Sequence, residues 1–302
     1  MMTSPKTLAD VDTMFPTEMD AKSYLVGRRW PKGVVCPRCG NDKVYTLKAR
    51  PFNWLCKSEK CLKASKTGYR FSLYVGTIFE NTNYALKTWF KVLYLMLQSK
   101  KGMSALQIKR MLGMGSYRTA WYMCHRLRAG LMDPEFQKLM GIVEVDETFI
   151  GGKDRNRPFK KRSGGMPGTA SGKVTVIGAI SRKGNVVCQV IERADERTLI
   201  GFVERTVSEQ VKLVATDDHR GYQNLSEGGY RHQKVNHSKD EYVRGMVHTN
   251  SMESFWSLLK RGVMGTYHNV SRKYLPLYLN EFTFRHNNRK NADMFGEAIA
   301  SC

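Results

Sequence analysis

The sequence predicts a mixed α/β protein in which a cysteine-bearing module and a helical stretch precede an α/β domain. Three observations carry that expectation. Four of the seven cysteines fall into two close pairs before residue 62. Between residues 84 and 128, apolar side chains recur at three- and four-residue steps separated by glycines. Beyond residue 141, β-rich runs bearing carboxylates alternate with an amphipathic helical stripe. The expected segments are residues 1–30 (N-terminal segment), 31–75 (cysteine module), 76–140 (helical) and 141–302 (α/β).

Charge narrows the class of partner. The 302 residues hold 49 Lys and Arg against 27 Asp and Glu, a formal net charge of +22. So many uncompensated cations repel one another unless a polyanion neutralises them, which makes nucleic acid the leading partner. Residues 1–140 carry +15 of the total. The longest unbroken apolar stretch in the most hydrophobic helix candidate, residues 92–97, is far short of the ~20 residues that span a bilayer. The polar start lacks the blocks of a secretion signal, and paired cysteines in an odd total read as metal chemistry in a reducing compartment, so a cytoplasmic protein is expected.

Cys36, Pro37, Arg38, Cys39 and Gly40 form a CPxCG knuckle, in which Gly40 can take the left-handed conformation that lets backbone amides point at sulfur. Cys56 and Cys61 follow after strand-like residues 43–49 and 53–55. Two knuckles joined by short strands describe a zinc ribbon with one structural Zn²⁺. The four residues between Cys56 and Cys61 are a looser spacing than the usual two. Ribbons serve either as platforms for nucleic acid or protein, or as scaffolds.

From residue 84 to 99, Leu86, Trp89, Phe90, Leu93 and Leu97 mark a helix facing a core, ended by Gly102. Ser104 with Gln107 forms a capping box opening a second helix whose buried face is Ile108, Met111 and Leu112. Gly113 breaks it, and Ser116 caps a third helix carrying Tyr117, Arg118, Trp121, Tyr122, Arg126 and Arg128. This is a helix-turn-helix pattern; Tyr117, Arg118 and Arg126 are its candidate DNA contacts, with plain helical packing as the alternative.

The run 142–150 reads as a strand that places Glu144 and Asp146 on one face with Ile142 and Ile150, and Glu147 on the other with Val143 and Val145. A carboxylate in a central apolar strand is unfavourable unless a cation compensates it. A second strand, 212–216, leads into Asp217, with Asp218 expected to cap the helix after it; acids at the C-terminal end of a buried strand lie where α/β sheets build sites. Within 247–261, Met252, Phe255, Leu258 and Leu259 form a helical stripe, and Glu253 shares a neighbouring face with Ser257 and Lys260. Taken alone, Glu253 reads as the third position of a capping box headed by Asn250. Residues 151–172 interleave Lys153, Arg155, Arg157, Lys160, Lys161 and Arg162 with six glycines, either as a linker or as a hairpin tip that grips the DNA backbone.

The CPxCG knuckle, the stretch GTIFENT at 76–82, VDET at 145–148, the Thr216-Asp217 pair, NSMESFWSLLKRG at 250–262 and EFTFRHNNR at 281–289 together resemble the bacterial insertion-sequence transposases of the DDE class with an N-terminal zinc ribbon. The resemblance covers nearly the whole chain from about residue 20. It implies a ribonuclease-H-like catalytic domain in which Asp146, Asp217 and Glu253 bind two Mg²⁺ (or Mn²⁺) ions, with Lys260 assisting from the same helix as Glu253. The implied activity is recognition of the element's ends, DNA cleavage and strand transfer. The partners would be double-stranded DNA, as element ends and as target, and a second copy of the chain in a dimer or larger assembly. Alternatives are a ribonuclease-H-like nuclease or resolvase, and a zinc-ribbon DNA-binding regulator with an inactive catalytic domain.

Overall fold

The computed structural model describes residues 4–133, 136–152, 173–235 and 248–302. The candidate DNA contacts Lys153, Arg155, Arg157, Lys160, Lys161 and Arg162 lie outside them. The chain divides into two units, Met1–Met132 with Lys290–Cys302, and Asp133–Arg289.

The first unit opens with helices α1 (Leu8–Met14) and α2 (Glu18–Arg29), each started by a Thr–Asp capping box. A small antiparallel sheet comes next, formed by β1 (Val44–Thr46), β2 (Asn53–Cys56) and β3 (Tyr69–Ser72), with helix α3 (Glu59–Ala64) between β2 and β3. Trp54 stacks on Phe71, and Trp30 meets both rings edge-on, in the ribbon's core. Helices α4 (Leu86–Gln98), α5 (Ala105–Met111) and α6 (Tyr117–Gly130) complete the run. Ser104 caps α5 by accepting the Gln107 amide at 3.2 Å. Ser116 occupies the N-cap of α6 without a side-chain hydrogen bond. Met111 departs from expectation: it is 47% exposed, and Ile108 is the residue α5 buries fully.

The chain's last helix, α10 (Met294–Ala300), returns to this first unit rather than extending the α/β domain to residue 302. It buries Phe295, Ala298 and Ile299, and Phe295 meets Phe15 and Phe90 in an aromatic cluster. Arg28 pairs with Asp293 at the helix start.

The second unit is built on a mixed sheet, five-stranded among the described residues, in the order β6-β5-β4-β7-β8. Strands β4 (Ile142–Ile150), β5 (Val174–Ser181) and β6 (Val186–Ile191) form an antiparallel meander, and β7 (Leu213–Asp217) and β8 (His232–Val235) run parallel to β4. One sheet face carries Val143, Val145 and Ile177 against α7 (Glu196–Thr206), through Leu199, Phe202 and Val203. The opposite face carries Ile150, Val176 and Ile180 against α8 (Asn250–Gly262) and α9 (Leu275–Asn287). The strand alternation read from 142–150 is thus the division between the two apolar layers.

Gly178 lets α8 settle onto the sheet. It pairs with Asp146 across β4 and β5, and a Cβ there would stand 2.5 Å from Met252 Cε and 2.8 Å from the Trp256 ring.

Candidate active site and metal centres

Asp146 lies in the central strand, and Asp217 is the final residue of the parallel neighbour β7, as the sequence pattern indicated. Carboxylate oxygens of Asp146, Glu147 and Asp217 all lie within 4.8 Å of one another. Glu253 is outside that group, but with Asp146, Glu147, Ser257 and Lys260 it lines one cleft of about 460 Å³. The shared face of Glu253, Ser257 and Lys260 on α8 is therefore the face that looks into the cleft.

Each carboxylate is held differently. Trp256 Nε1 donates to Asp146 Oδ2 at 3.0 Å. The Asp217 side chain accepts the His219 amide at 3.2 Å. Thr249 Oγ1 donates to Glu253 Oε1 at 3.1 Å. Glu147 is fixed by the Tyr222 hydroxyl, which comes from the 3-10 helix Arg220–Ser226 that follows β7.

Burial, with Asp217 and Glu253 nearby, pushes the Asp146 carboxyl up to about 6. Burial with the negative charges of Asp217 and Asp146 pushes Glu147 up to about 8, against the lowering effect of the Tyr222 hydrogen bond. Acids crowded and desolvated in this way favour a counter-cation, and hard oxygen ligands in this arrangement suit a divalent one such as Mg²⁺.

Sequence periodicity did not single out Glu147, because it assigned Glu144 and Asp146 to one face and Glu147 to the other. That assignment describes the backbone correctly. From the far face, the Glu147 carboxylate still comes within reach of the Asp146–Asp217 group, and Tyr222 holds it there. The available signal was the adjacency of two acids in the middle of an otherwise apolar strand.

Two capping expectations are corrected. His219, not Asp218, caps the 3-10 helix, its ring accepting the Gly221 amide at 3.1 Å, while Asp218 pairs with Lys234 at 2.6 Å. The N-cap of α8 is Thr249, so Asn250 and Glu253 do not form the capping box. Glu253 is left facing the cleft.

In the first unit, all four cysteines predicted to bind zinc converge. The Sγ separations are 3.8 Å for Cys36–Cys61, 3.6 Å for Cys39–Cys56 and 3.6 Å for Cys39–Cys61. A tetrahedral Zn²⁺ with ~2.3 Å bonds to sulfur requires edges of ~3.8 Å, so the donor set fits that ion. Gly40 has φ +74°, and the amides of Arg38 and Cys39 point at Cys36 sulfur, as the knuckle requires. The wider second spacing has a local cause: Cys56 ends β2, Ser58 caps α3, and Cys61 sits in the first turn of that helix.

On α6, Tyr117 is 50% exposed and Arg118 is exposed beside it. Arg126 is engaged within its own unit. It donates to the Glu80 carbonyl at 2.9 Å, and its guanidinium lies over the Trp89 and Tyr122 rings.

A meander of three antiparallel strands flanked by parallel strands, with acids on the two adjacent central strands, defines the ribonuclease-H-like fold of transposases and integrases. Residues 138–287 match the ISXO2-like transposase domain, and residues 16–64 match the transposase zinc-ribbon domain. The chain is 30% identical over 281 residues, 90% of its own length and 91% of the relative's, to the uncharacterized protein in transposable element ISH50 of Halobacterium salinarum. The chain belongs to the IS1595/ISXO2-like DDE transposases with an N-terminal zinc ribbon. That relative is archaeal, so the resemblance is not to be confined to bacterial elements. Among solved structures, the simian T-cell lymphotropic virus intasome in complex with PP2A regulatory subunit B56 gamma matches with a TM-score of 0.31 at 13% identity, over 59% of this chain and 63% of that one. A pre-cleavage Mos1 transpososome matches with a TM-score of 0.27 at 13% identity, over 98% and 96% of the two chains. No helix among the described residues is long and apolar enough to cross a membrane.

Proposed function

We propose that this transposase binds the ends of its own element, cleaves them and joins the freed 3′ ends to target DNA by metal-dependent phosphoryl transfer. The observation that carries the reading is the convergence of Asp146 and Glu147, in the middle of β4, with Asp217 at the end of the adjacent β7, and with Glu253 and Lys260 lining a cleft beside Asp146 and Glu147, in a chain of this family. Divalent cations bound there would activate the attacking oxygen and stabilise the leaving one. Asp146, Asp217 and Glu253 would hold those cations, and Trp256 donates a hydrogen bond to Asp146. Lys260 offers a cation to the phosphate beside them. Tyr117 and Arg118 are the exposed α6 residues proposed to meet DNA, and the basic residues of 153–162 are proposed to supply further contacts to the DNA backbone. Joining two ends requires at least two copies of the chain on DNA.

The test is a strand-transfer assay on labelled DNA carrying the sequences that flank the gene, with Mg²⁺. The wild type is expected to give cleaved ends and joined products, and Asp146→Asn, Asp217→Asn and Glu253→Gln are each expected to give neither. Undiminished activity in any one of them removes that residue from the site. Cleavage without joined products favours the nuclease reading.

A further inference from the structure

Glu144 is fully buried two residues before Asp146 on the same strand face, and no step of the proposed chemistry uses it. Its carboxylate nevertheless collects a dense set of contacts. Arg182 Nε donates to Oε1 at 2.7 Å, and the Ser251 hydroxyl donates to the same oxygen at 3.0 Å. The amides of Ser251 and Met252 donate to Oε2 at 2.7 and 3.1 Å. His248 Nδ1 lies 3.3 Å from Oε1.

Those two amides are among the first in α8, which open a helix without partners of their own, and the N-cap Thr249 supplies no side-chain hydrogen bond to them. A strand carboxylate therefore takes the place of the cap and meets the positive end of the helix dipole. Arg182, just beyond β5, neutralises the charge and donates to the His248 carbonyl at 3.2 Å, tying the approach to α8 as well.

We propose that Glu144 is the positioning residue of the catalytic centre: it locks the N-terminus of α8 to β4 and so sets the distance between Asp146 and Glu253. This rests on the catalytic roles proposed for those two residues. Glu144 stands two positions before Asp146, and its amide partner Met252 stands one position before Glu253. A single carboxylate thus fixes the register of two acids from elements more than 100 residues apart in sequence. Productive geometry tolerates only fractions of an ångström, and partners that orient metal ligands commonly change metal affinity or activity ~10–100-fold when removed.

The experiment titrates Mn²⁺ onto full-length wild type, Glu144→Gln, Ser251→Ala and Asp146→Asn, following free Mn²⁺ by electron paramagnetic resonance. Circular dichroism reports folding, and DNA affinity and cleavage rate are measured in parallel. Glu144→Gln puts an amide NH₂ where an acceptor is needed; it is expected to weaken Mn²⁺ binding and slow cleavage by ~10-fold or more, with DNA affinity unchanged. Ser251→Ala, which removes one hydroxyl contact, is expected to show the same pattern at a few-fold. A folded Glu144→Gln with wild-type Mn²⁺ affinity and rate overturns the proposal. If Glu144→Gln does not fold, wild-type behaviour of Ser251→Ala overturns it. The Asp146→Asn titration separates the two readings: loss of binding there beside an unaffected Glu144→Gln overturns the anchor alone, whereas unchanged binding in Asp146→Asn overturns the metal-site reading beneath it.

Discussion

Among the described residues, the two clusters of side chains that could hold a metal ion are built on opposite principles. The cysteine cluster is closed: four sulfurs stand at tetrahedral separations, three of the four residues are buried, and backbone amides of the knuckle are aimed at the sulfurs. The carboxylate cluster is open: Asp146 and Glu147 line a cleft, and burial together with neighbouring negative charge raises the affinity of both for protons. A closed set of soft ligands holds an ion for the sake of the fold, whereas an open set of hard ligands keeps room for a substrate beside the ion. The difference also predicts what each site contributes to stability. The first is a staple, and the second is a liability that the sheet and α8 must support.

Substitution breaks the comparison most directly. Binding of structural zinc contributes ~10–16 kcal/mol in small zinc-finger peptides. Cys39→Ser is therefore expected to lose the bound zinc and the ordered ribbon together, checked by metal analysis and by proteolysis within residues 31–75. Mn²⁺ binding by the second unit should survive. Asp146→Asn is expected to do the reverse. It should abolish cleavage by at least ~10³-fold, since it removes a ligand shared by the whole site. In metal-free buffer near pH 8 it should also raise the melting temperature, because a carboxyl pushed up to about 6 costs on the order of 2–3 kcal/mol when it must ionise. A melting temperature below that of the wild type in the same buffer without added divalent cations would end the view that this site is strained.

The same asymmetry explains what could be read from the sequence. The ribbon was legible because its ligands are close in the chain and their spacing reports geometry directly. Strand β4, the position of Asp217 at the end of β7, and the cleft-facing side of α8 were legible because period-two and period-3.6 patterns record which faces are buried. Glu147 and Glu144 were not legible as functional residues, since their roles depend on Tyr222 and on the start of α8, and no local pattern encodes contacts of that range. For the same reason the cap of α8 was assigned to Asn250, three residues before Glu253, when the acceptor comes from another strand. The return of α10 to the first unit was likewise hidden, because the short run 294–300 records an apolar face but not what it packs against.

Protons should compete with the cation at the open site, and the sign comes from the raised carboxyls. An acid whose carboxyl titrates higher in the folded state than in the unfolded chain binds more protons when folded, so stability is lost as pH rises through that interval. With Asp146 at about 6 and Glu147 at about 8, the metal-free protein is expected to lose stability from about pH 4 to about pH 8. Saturating Mg²⁺ should flatten the slope, because the cation replaces the protons. Thermal melts across this range in buffer freed of divalent cations by chelating resin before the zinc-loaded protein is added, without and with Mg²⁺, check it. Parallel slopes in the two series would mean that the ion does not bind at these acids.

The smallest expected effect concerns Trp256, whose ring packs beside Gly178 and whose indole N–H reaches Asp146 at 3.0 Å. Trp256→Phe keeps an aromatic ring in the apolar layer and removes that donor alone. The bond favours the ionised carboxylate, so without it Asp146 should hold its proton to a higher pH. The acid limb of Mn²⁺ binding is then expected to move up by as much as ~1 pH unit, with cleavage at pH 8 and DNA affinity changed little. An unshifted limb in a folded Trp256→Phe protein would show that the indole serves packing alone, leaving the aim of Asp146 to its strand and to the Glu144 anchor two residues away.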